Sequence, residues 1–440
     1  MKTPRLLGRP LDAEERRVSQ RGYCLFNLVN GASYMCLGEN IVVLFAARLH
    51  APDAVVSVLG AMFYVGYLAL PLGVWRTARR GCAAALADFW VARNLAALLT
   101  ASAALVALVS PQVSWCVLLV GAFLFYACRA AGYVMATPLL GEISTEEEAP
   151  VVLARAQGLF DGIAVVVLVA IMLVTARWSG IAVLSAIIVF GALCGVGASG
   201  FLRIVRETGA IRDAARKPLL PGMRGAILSR DLRRFALGWS ALNLFRMLSV
   251  PLSLLALKRG CGLDDSEALV CACSQFVAAS GASFATGPLS RRFGPRQVML
   301  VAAFGYLAVP TAWLVMPPCG VASVVGGAAL FALFGALNTF VLNASAAYFL
   351  LACPVKEDQI GASIALNLAT GAGAGLVGSA LGAILVVSAS RLAPGLSCMS
   401  DVFSGASGAY RLYFVLLTLP TVVGIFSVLR MRRFVYRSRN

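Results

Sequence analysis

The sequence predicts an all-α membrane protein whose twelve transmembrane helices form two parallel-repeat six-helix bundles. The 440 residues are 60% hydrophobic and only 13% charged, with a mean hydropathy of +0.84, whereas soluble domains carry about 25% charged residues. The apolar residues fall in blocks of roughly twenty or more, long enough to cross about 30 Å of hydrocarbon as helix. Basic residues gather in alternate loops, and the two halves of the chain share a weak repeat.

Each apolar block predicts one membrane-spanning helix. A segment inside lipid must satisfy its backbone polar groups internally, which favours helices, and the blocks lack the alternation of membrane-barrel strands. Residues 1–21 are polar and basic, unlike a signal peptide, so the first span is expected to be retained. The twelve predicted spans are 22–46, 55–75, 86–110, 113–137, 153–175, 181–202, 236–257, 268–289, 297–316, 321–348, 360–388 and 409–429.

The positions of Lys and Arg predict the orientation in the membrane. With the N-terminus inside, 28 of the 37 Lys and Arg residues fall in cytoplasmic segments or at the inner end of a span, and six fall outside or at the outer end of a span. Arg93, Arg129 and Arg246 lie deeper within spans. Because cytoplasmic loops are enriched in Lys and Arg, we expect both termini on the cytoplasmic side of the cytoplasmic (inner) membrane. The net charge of +17 then reflects topology and contact with anionic membrane lipids. Nucleic-acid binding is not expected.

A half-length comparison indicates duplication. Shifting the sequence by 216 positions places Gly22–Leu28 on Gly238–Leu244, with three of seven residues identical. The same shift places Arg76 on Arg292 and Arg80 on Arg296. Each half then has six spans. The predicted domains are a cytoplasmic N-terminus (1–21), an N-terminal bundle (22–202), a cytoplasmic linker (203–235), a C-terminal bundle (236–429) and a cytoplasmic tail (430–440).

The short loop between spans eight and nine carries a motif, GPLSRRFGPR, from Gly287 to Arg296. It resembles the loop signature of the major facilitator superfamily, GxLaDRxGRR. Matching residues are Gly287, Leu289, Arg292, Gly294 and Arg296. Glycines allow a tight turn and close helix packing, and arginines can cap carbonyls at helix C-termini.

The resemblance implies that these loops control a conformational switch. The expected switch residues are Gly287, Arg291, Arg292, Gly294 and Arg296, with Arg76 and Arg80 in the first half. The family's aspartate is replaced by Arg291, and by Trp75 in the first-half copy. Its charge network is therefore absent or rebuilt from other acids, for which Glu142 and Glu146–Glu148 are candidates.

Polar residues within spans are costly and are therefore candidates for function. Arg246 lies about ten residues into span seven, roughly 15 Å deep, and its repeat partner is Asn30. The family resemblance implies that spans one and seven line the central cavity, where an arginine could grip a carboxylate or phosphate. The alternative is a packing role for Arg246. Asn30, Arg129 and Asn338 are the other candidates for substrate binding.

Two acids are candidates for proton coupling. Asp161 in span five lies at a depth similar to that of Arg129, so the two could pair, either as a static ion pair or as one that exchanges a proton or substrate. Glu39 lies in the outer third of span one and could carry a proton in an apolar site. The alternative for Glu39 is simple contact with the outer water layer.

These features together predict a secondary transporter, not an enzyme. It would move a small polar or anionic organic solute by alternating access, coupled to protons or by exchange. We expect no cofactor, since nucleotide-binding motifs are lacking, and no metal site, since the chain has one histidine and no CxxC pair. A monomer is sufficient. A lipid transporter of the same fold and a non-transporting sensor or subunit remain as alternatives.

Overall fold

The computed structural model describes residues 6–178, 180–263, 265–317, 320–397 and 405–434. Helices account for most of this part of the chain. The β-structure found within it is one isolated bridge, between Leu6 and Glu207. The α-helical fold class predicted from composition is therefore confirmed.

Twenty α-helices follow one another along the described ranges. They are α1 Ala13–Leu37, α2 Glu39–Arg48, α3 Asp53–Val65, α4 Leu70–Arg80, α5 Cys82–Val106, α6 Pro111–Tyr133, α7 Ala136–Ile143, α8 Ala149–Arg177, α9 Ile181–Phe201, α10 Ala210–Ala215, α11 Leu219–Leu228, α12 Arg230–Leu255, α13 Asp265–Phe293, α14 Pro295–Gly305, α15 Ala308–Leu314, α16 Val321–Ala352, α17 Lys356–Asn367, α18 Ala374–Ser397, α19 Gly405–Leu416 and α20 Thr418–Leu429.

Eight helical segments in the described residues are long and apolar enough to cross a membrane. They are Ala13–Arg48, Cys82–Val106, Pro111–Ile143, Ala149–Arg177, Ile181–Phe201, Pro295–Leu314, Val321–Ala352 and Gly408–Leu429. Each overlaps one predicted span. The other four predicted spans are helical as well. Two of them are interrupted, 55–75 by a 3₁₀ turn at Gly66–Ala69 and 360–388 by a π-helical segment at Leu368–Gly373.

The first helix begins before the first predicted span because its start is set by capping rather than hydropathy. Asp12 accepts a hydrogen bond from the Glu15 backbone amide at 2.7 Å, and the Glu15 side chain accepts one from the Asp12 amide at 3.1 Å. This reciprocal arrangement satisfies two amides at the helix start. Residues 13–21 of the predicted polar N-terminus therefore belong to α1. Gly38, with an extended backbone, separates α1 from α2.

The chain forms two compact units. Unit 1 comprises residues 1–228 and 353–368, and unit 2 comprises residues 229–352 and 369–440. Unit 1 therefore contains α1–α11 and also α17, which lies far along the chain. In unit 1, α17 packs closely on α11. A Cβ added at Gly361 of α17 would lie only 2.9 Å from the Cα of Gly222 on α11. The predicted bundles at 22–202 and 236–429 stay a prediction.

Glycines set two turns and one close helix contact. Gly81 ends α4 with φ +89°, and Gly294 ends α13 with φ +86°, in the region that glycine adopts without strain. In unit 2, a Cβ at Gly378 or Gly382 of α18 would lie 2.9 or 2.8 Å from a leucine side chain of α12. These two small residues therefore allow α18 to pack closely on α12.

Candidate functional site

A buried cationic cluster occupies the interior of unit 1. Arg93 on α5 is 1% exposed. Its Nη2 donates to Asn30 Oδ1 at 3.2 Å and to Ser33 Oγ at 3.1 Å, both on α1, and lies 3.5 Å from Asn94 Oδ1. Its Nε has no hydrogen-bond partner among the described residues. All three acceptors are neutral, so they solvate the guanidinium without balancing its charge.

Aromatic rings surround Arg93 and Arg129. The Arg93 guanidinium lies 4.6 Å from the ring centroid of Trp90 and 5.1 Å from that of Phe125. The Arg129 guanidinium lies 4.7 Å from the ring of Phe63. A cation over an aromatic face is stabilised by the ring quadrupole, more strongly where water is excluded. The rings therefore help to hold two cations in an apolar bundle.

Asn30, predicted to contact substrate, belongs to this cluster. It is 7% exposed, and its Oδ1 accepts hydrogen bonds from Trp90 Nε1 at 2.8 Å and from Arg93. Asn30 therefore orients Arg93 between α1 and α5. Arg93 was not among the predicted substrate-binding residues. In the structure α5 begins at Cys82, eleven residues earlier, so Arg93 lies well inside the helix.

The proposed pairing of Arg129 with Asp161 does not form among the described side chains. Asp161 on α8 is 4% exposed and accepts a hydrogen bond from Gln157 Nε2 at 3.0 Å. Arg129 on α6 is half-buried and packs on rings. No ion pair with a carboxylate is found for Arg93, Arg129 or Arg246 within the described part of the chain.

Unit 2 contains the other two predicted substrate contacts, Arg246 on α12 and Asn338 on α16. Both are half-buried. Arg246 lies close enough to Tyr306 for an electrostatic interaction. Tyr306 is fully buried, packs on Phe245 with ring centroids 4.9 Å apart, and has a hydroxyl with no partner among the described residues. In unit 2, the half-buried Arg246 therefore lies near the Tyr306 hydroxyl, which has no hydrogen-bond partner among the described residues. Glu39 begins α2, but its side chain lies outside the described structure.

The loop between α13 and α14 has the predicted capping geometry. Gly287 lies within α13, and Arg291 and Arg292 form its last turn, exposed to solvent. Arg296, only 7% exposed, donates from Nε to the Val428 carbonyl at 3.0 Å and from Nη2 to the Leu429 carbonyl. Those carbonyls end α20. The prediction that an arginine of this loop caps a helix C-terminus is confirmed for Arg296.

In the first-half loop, the acid that pairs with the arginines is Asp88. Arg76 Nη2 lies 2.7 Å and Arg80 Nη1 3.0 Å from Asp88 Oδ2. Asp88 is on α5, two turns beyond the turn at Gly81. The acids suggested from sequence, Glu142 and Glu146–Glu148, are therefore not the partners of Arg76 and Arg80. Asp88 was not among the acids suggested from sequence.

Two acids instead anchor the segment after α9, within the predicted cytoplasmic linker. Glu142 accepts hydrogen bonds from the Thr208 amide at 2.9 Å and the Ile211 amide at 3.1 Å. Glu207, 1% exposed, accepts from the amides of Cys82 at 2.8 Å and Ala83 at 3.3 Å. A carboxylate at a helix N-terminus is favoured by the unpaired amides and the helix dipole.

Burial nevertheless raises the pKa of Glu207 to about 7, with the neighbouring Glu142 adding to the effect. The sequence offered no signal for this role, because Glu207 and Cys82 are 125 positions apart.

Comparison with known proteins places this architecture. The chain matches no known protein-family model and none of the curated proteins at a significant level. Solved structures do match it. The proton:xylose symporter XylE, bound to 6-bromo-6-deoxy-D-glucose, is 12% identical with a TM-score of 0.63, covering 94% of this chain and 95% of its own.

Two further structures match over similar lengths. The human organic anion transporter MFSD10 is 14% identical with a TM-score of 0.61, covering 93% of this chain and 99% of its own. A bacterial homologue of the iron transporter ferroportin, in the outward-facing state, is 16% identical with a TM-score of 0.65, covering 93% and 99%.

The chain has the major facilitator fold. The match covers nearly all of this chain and of each solved structure, which decides the fold. The resemblance first indicated by the loop motif is thereby confirmed at the level of fold, at low sequence identity. The protein is a multi-pass membrane protein.

Proposed function

We propose that this protein is a secondary active transporter that moves a small organic anion across the cytoplasmic membrane by alternating access. Both termini would lie in the cytoplasm. The major facilitator fold is shared with a proton:xylose symporter and a human organic anion transporter. These neighbours support a transport role, and the residues of this chain support the choice of an anion.

The observation that carries the proposal is the presence of arginines at membrane depth without carboxylate partners. Arg129 in unit 1 and Arg246 in unit 2 form no ion pair among the described residues. A charged side chain within a bilayer costs several kcal/mol unless it is paired or hydrated. A guanidinium that protein carboxylates leave unbalanced is suited to bind a carboxylate or phosphate of a substrate.

Coupling to protons is supported by Asp161. Its carboxyl group is buried on α8 beside Gln157, in the same unit as Arg129. An acid in such a place is a candidate proton carrier. We propose that Asp161 gains and loses the proton that accompanies the anion. Glu39 remains a second candidate for this role.

Thermal stability of the purified protein in detergent tests the proposal. The protein is challenged with matched anionic, neutral and cationic metabolites. A ligand at one hundred times its Kd adds about 2.7 kcal/mol to the native state, which is measurable. Stabilisation by anions, lost in Arg246→Ala and retained in Arg177→Ala at the end of α8, is the expected result.

Two other results would contradict the proposal. Stabilisation by neutral or cationic metabolites in preference to anions would rule out an anion site. Stabilisation by particular lipids and by no soluble metabolite would favour a lipid transporter of the same fold.

A further inference from the structure

We infer that Arg93 is a second anion-contacting residue in unit 1, acting with Arg129, and that the site takes a doubly charged organic anion. This inference rests on the proposed function, because it assigns the substrate class of the same transporter. The two cations lie on adjacent helices, α5 and α6, and each is held against aromatic rings.

Helix geometry brings the two arginines together. Arg93 packs on the ring of Phe125, at 5.1 Å from guanidinium carbon to ring centroid. Phe125 and Arg129 are four residues apart on α6 and therefore share a helix face, about 6 Å apart. The two guanidinium groups are close enough to repel each other electrostatically.

The hydrogen bonds of Arg93 are incomplete. Among the described residues, the hydrogen bonds of Arg93 all come from Nη2, to Asn30, Ser33 and Asn94. Its buried Nε has no hydrogen-bond partner there. A buried polar group without a partner costs about 1–3 kcal/mol, and more if it is charged. An arginine with only a structural role would be expected to have a hydrogen-bond partner for each N–H group of its guanidinium. The unpartnered Nε–H group is suited to donate a hydrogen bond to an anionic oxygen.

Charge balance points to the class of ligand. Asn30, Ser33 and Asn94 are neutral, and neither Arg93 nor Arg129 forms an ion pair among the described residues. Two neighbouring cations are matched by two negative charges on one small ligand. Short dicarboxylates and the doubly charged head of a phosphate monoester both provide this. A monoanion would leave one cation uncompensated.

Paired probes that differ by one charge test this inference. Each dianion is compared with the related ester that carries one negative charge fewer, so that size is nearly constant. Dicarboxylates of three to six carbons are compared with their monomethyl esters, and monoalkyl phosphates with dialkyl phosphates. Apparent Kd is obtained from thermal shifts at pH 7.5 for the wild type, Arg93→Gln, and the control Arg177→Gln. The two probe series separate a dicarboxylate from a phosphate ester.

The expected result is at least tenfold tighter binding of one dianion series than of its matched monoanions. Arg93→Gln should reduce this preference to less than threefold, and Arg177→Gln should retain it. Arg93→Lys keeps the charge but loses the planar fork, so it should retain part of the preference. Arg129→Gln provides a second test if Arg93→Gln does not fold, because it also removes one of the two charges.

Failure of this inference is distinguishable from failure of the proposed function. If monoanions bind as well as dianions, or if Arg93→Gln and Arg129→Gln keep the dianion preference, the protein still binds anions but Arg93 plays no part in selecting two charges. If no anion of either charge stabilises the protein, the proposed anion transport fails as well, and this inference fails with it.

Discussion

Replacing Glu207 by glutamine should remove a pH dependence of stability. Glu207 is buried and accepts two backbone amides at the start of α5, where it joins the segment after α9 to the turn at Gly81. Burial raises its pKa to about 7 from the ordinary value of 4.5. Glutamine has nearly the same shape and can still accept a hydrogen bond, but it does not ionise between pH 5 and 8.

The sign follows from the raised pKa. Between pH 4.5 and 7 the folded protein holds a proton on Glu207 that the unfolded chain has released. The stabilising contribution is therefore full below about pH 4.5 and is lost as the pH rises through 7. At about 1.4 kcal/mol per pH unit the full effect is about 3 kcal/mol. About 2.5 kcal/mol of it falls between pH 5 and 8.

Unfolding free energies in mixed detergent micelles between pH 5 and 8 measure this effect. Other titrating groups contribute equally to both proteins and cancel in the difference. From pH 5 to 8 the wild type should lose about 2–3 kcal/mol more than Glu207→Gln. Glu147→Gln, at an exposed acid in the turn before α8, should follow the wild type. If Glu207→Gln has the same pH slope as the wild type, the reasoning on burial at this position is refuted.

Three further predictions address packing, capping and coupling. Arg296→Gln should destabilise unit 2 by about 2–4 kcal/mol in the same unfolding assay, since two carbonyls at the end of α20 lose a charged donor. The control Arg291→Gln, at an exposed position, should cost less than about 0.5 kcal/mol. Equal effects of the two substitutions would contradict the capping role. Gly335→Ala should lower the free energy of unfolding by about 1–3 kcal/mol, since its Cβ would lie 2.1 Å from a backbone oxygen of α13. The control Gly281→Ala, at a position that faces open space, should change the free energy of unfolding little. Similar losses for the two substitutions would contradict the close contact at Gly335. Asp161→Asn should abolish uptake driven by a pH gradient in proteoliposomes and preserve anion exchange; retained pH-driven uptake would exclude Asp161 as the proton carrier.

Features with a local cause were predictable from sequence. Hydropathy located the spans, because crossing lipid demands about twenty apolar residues regardless of neighbours. The glycine at position 294 was expected at a tight turn, and it adopts a positive φ there. That an arginine of this loop would cap a helix C-terminus was predictable. That Arg296 would do so at the end of α20 was not.

Features that depend on contacts between distant segments were not predictable. Hydropathy places Arg93 only within a span, and its partners on α1 lie 60 and 63 positions away. Asp88 had no visible role until α4 and α5 folded against each other across Gly81. Similar depth suggested that Arg129 and Asp161 would pair, but depth along a helix does not determine which face a side chain occupies.

Anion exchange in proteoliposomes tests the central claim most directly. Liposomes containing the purified protein are loaded with an unlabelled organic anion that stabilises it, and uptake of the labelled anion is followed for the wild type, Arg246→Gln and the control Arg177→Gln. The account predicts rapid exchange by the wild type and the control, and a loss of at least tenfold in Arg246→Gln. Unchanged exchange in Arg246→Gln, or exchange of neutral solutes alone, would contradict it.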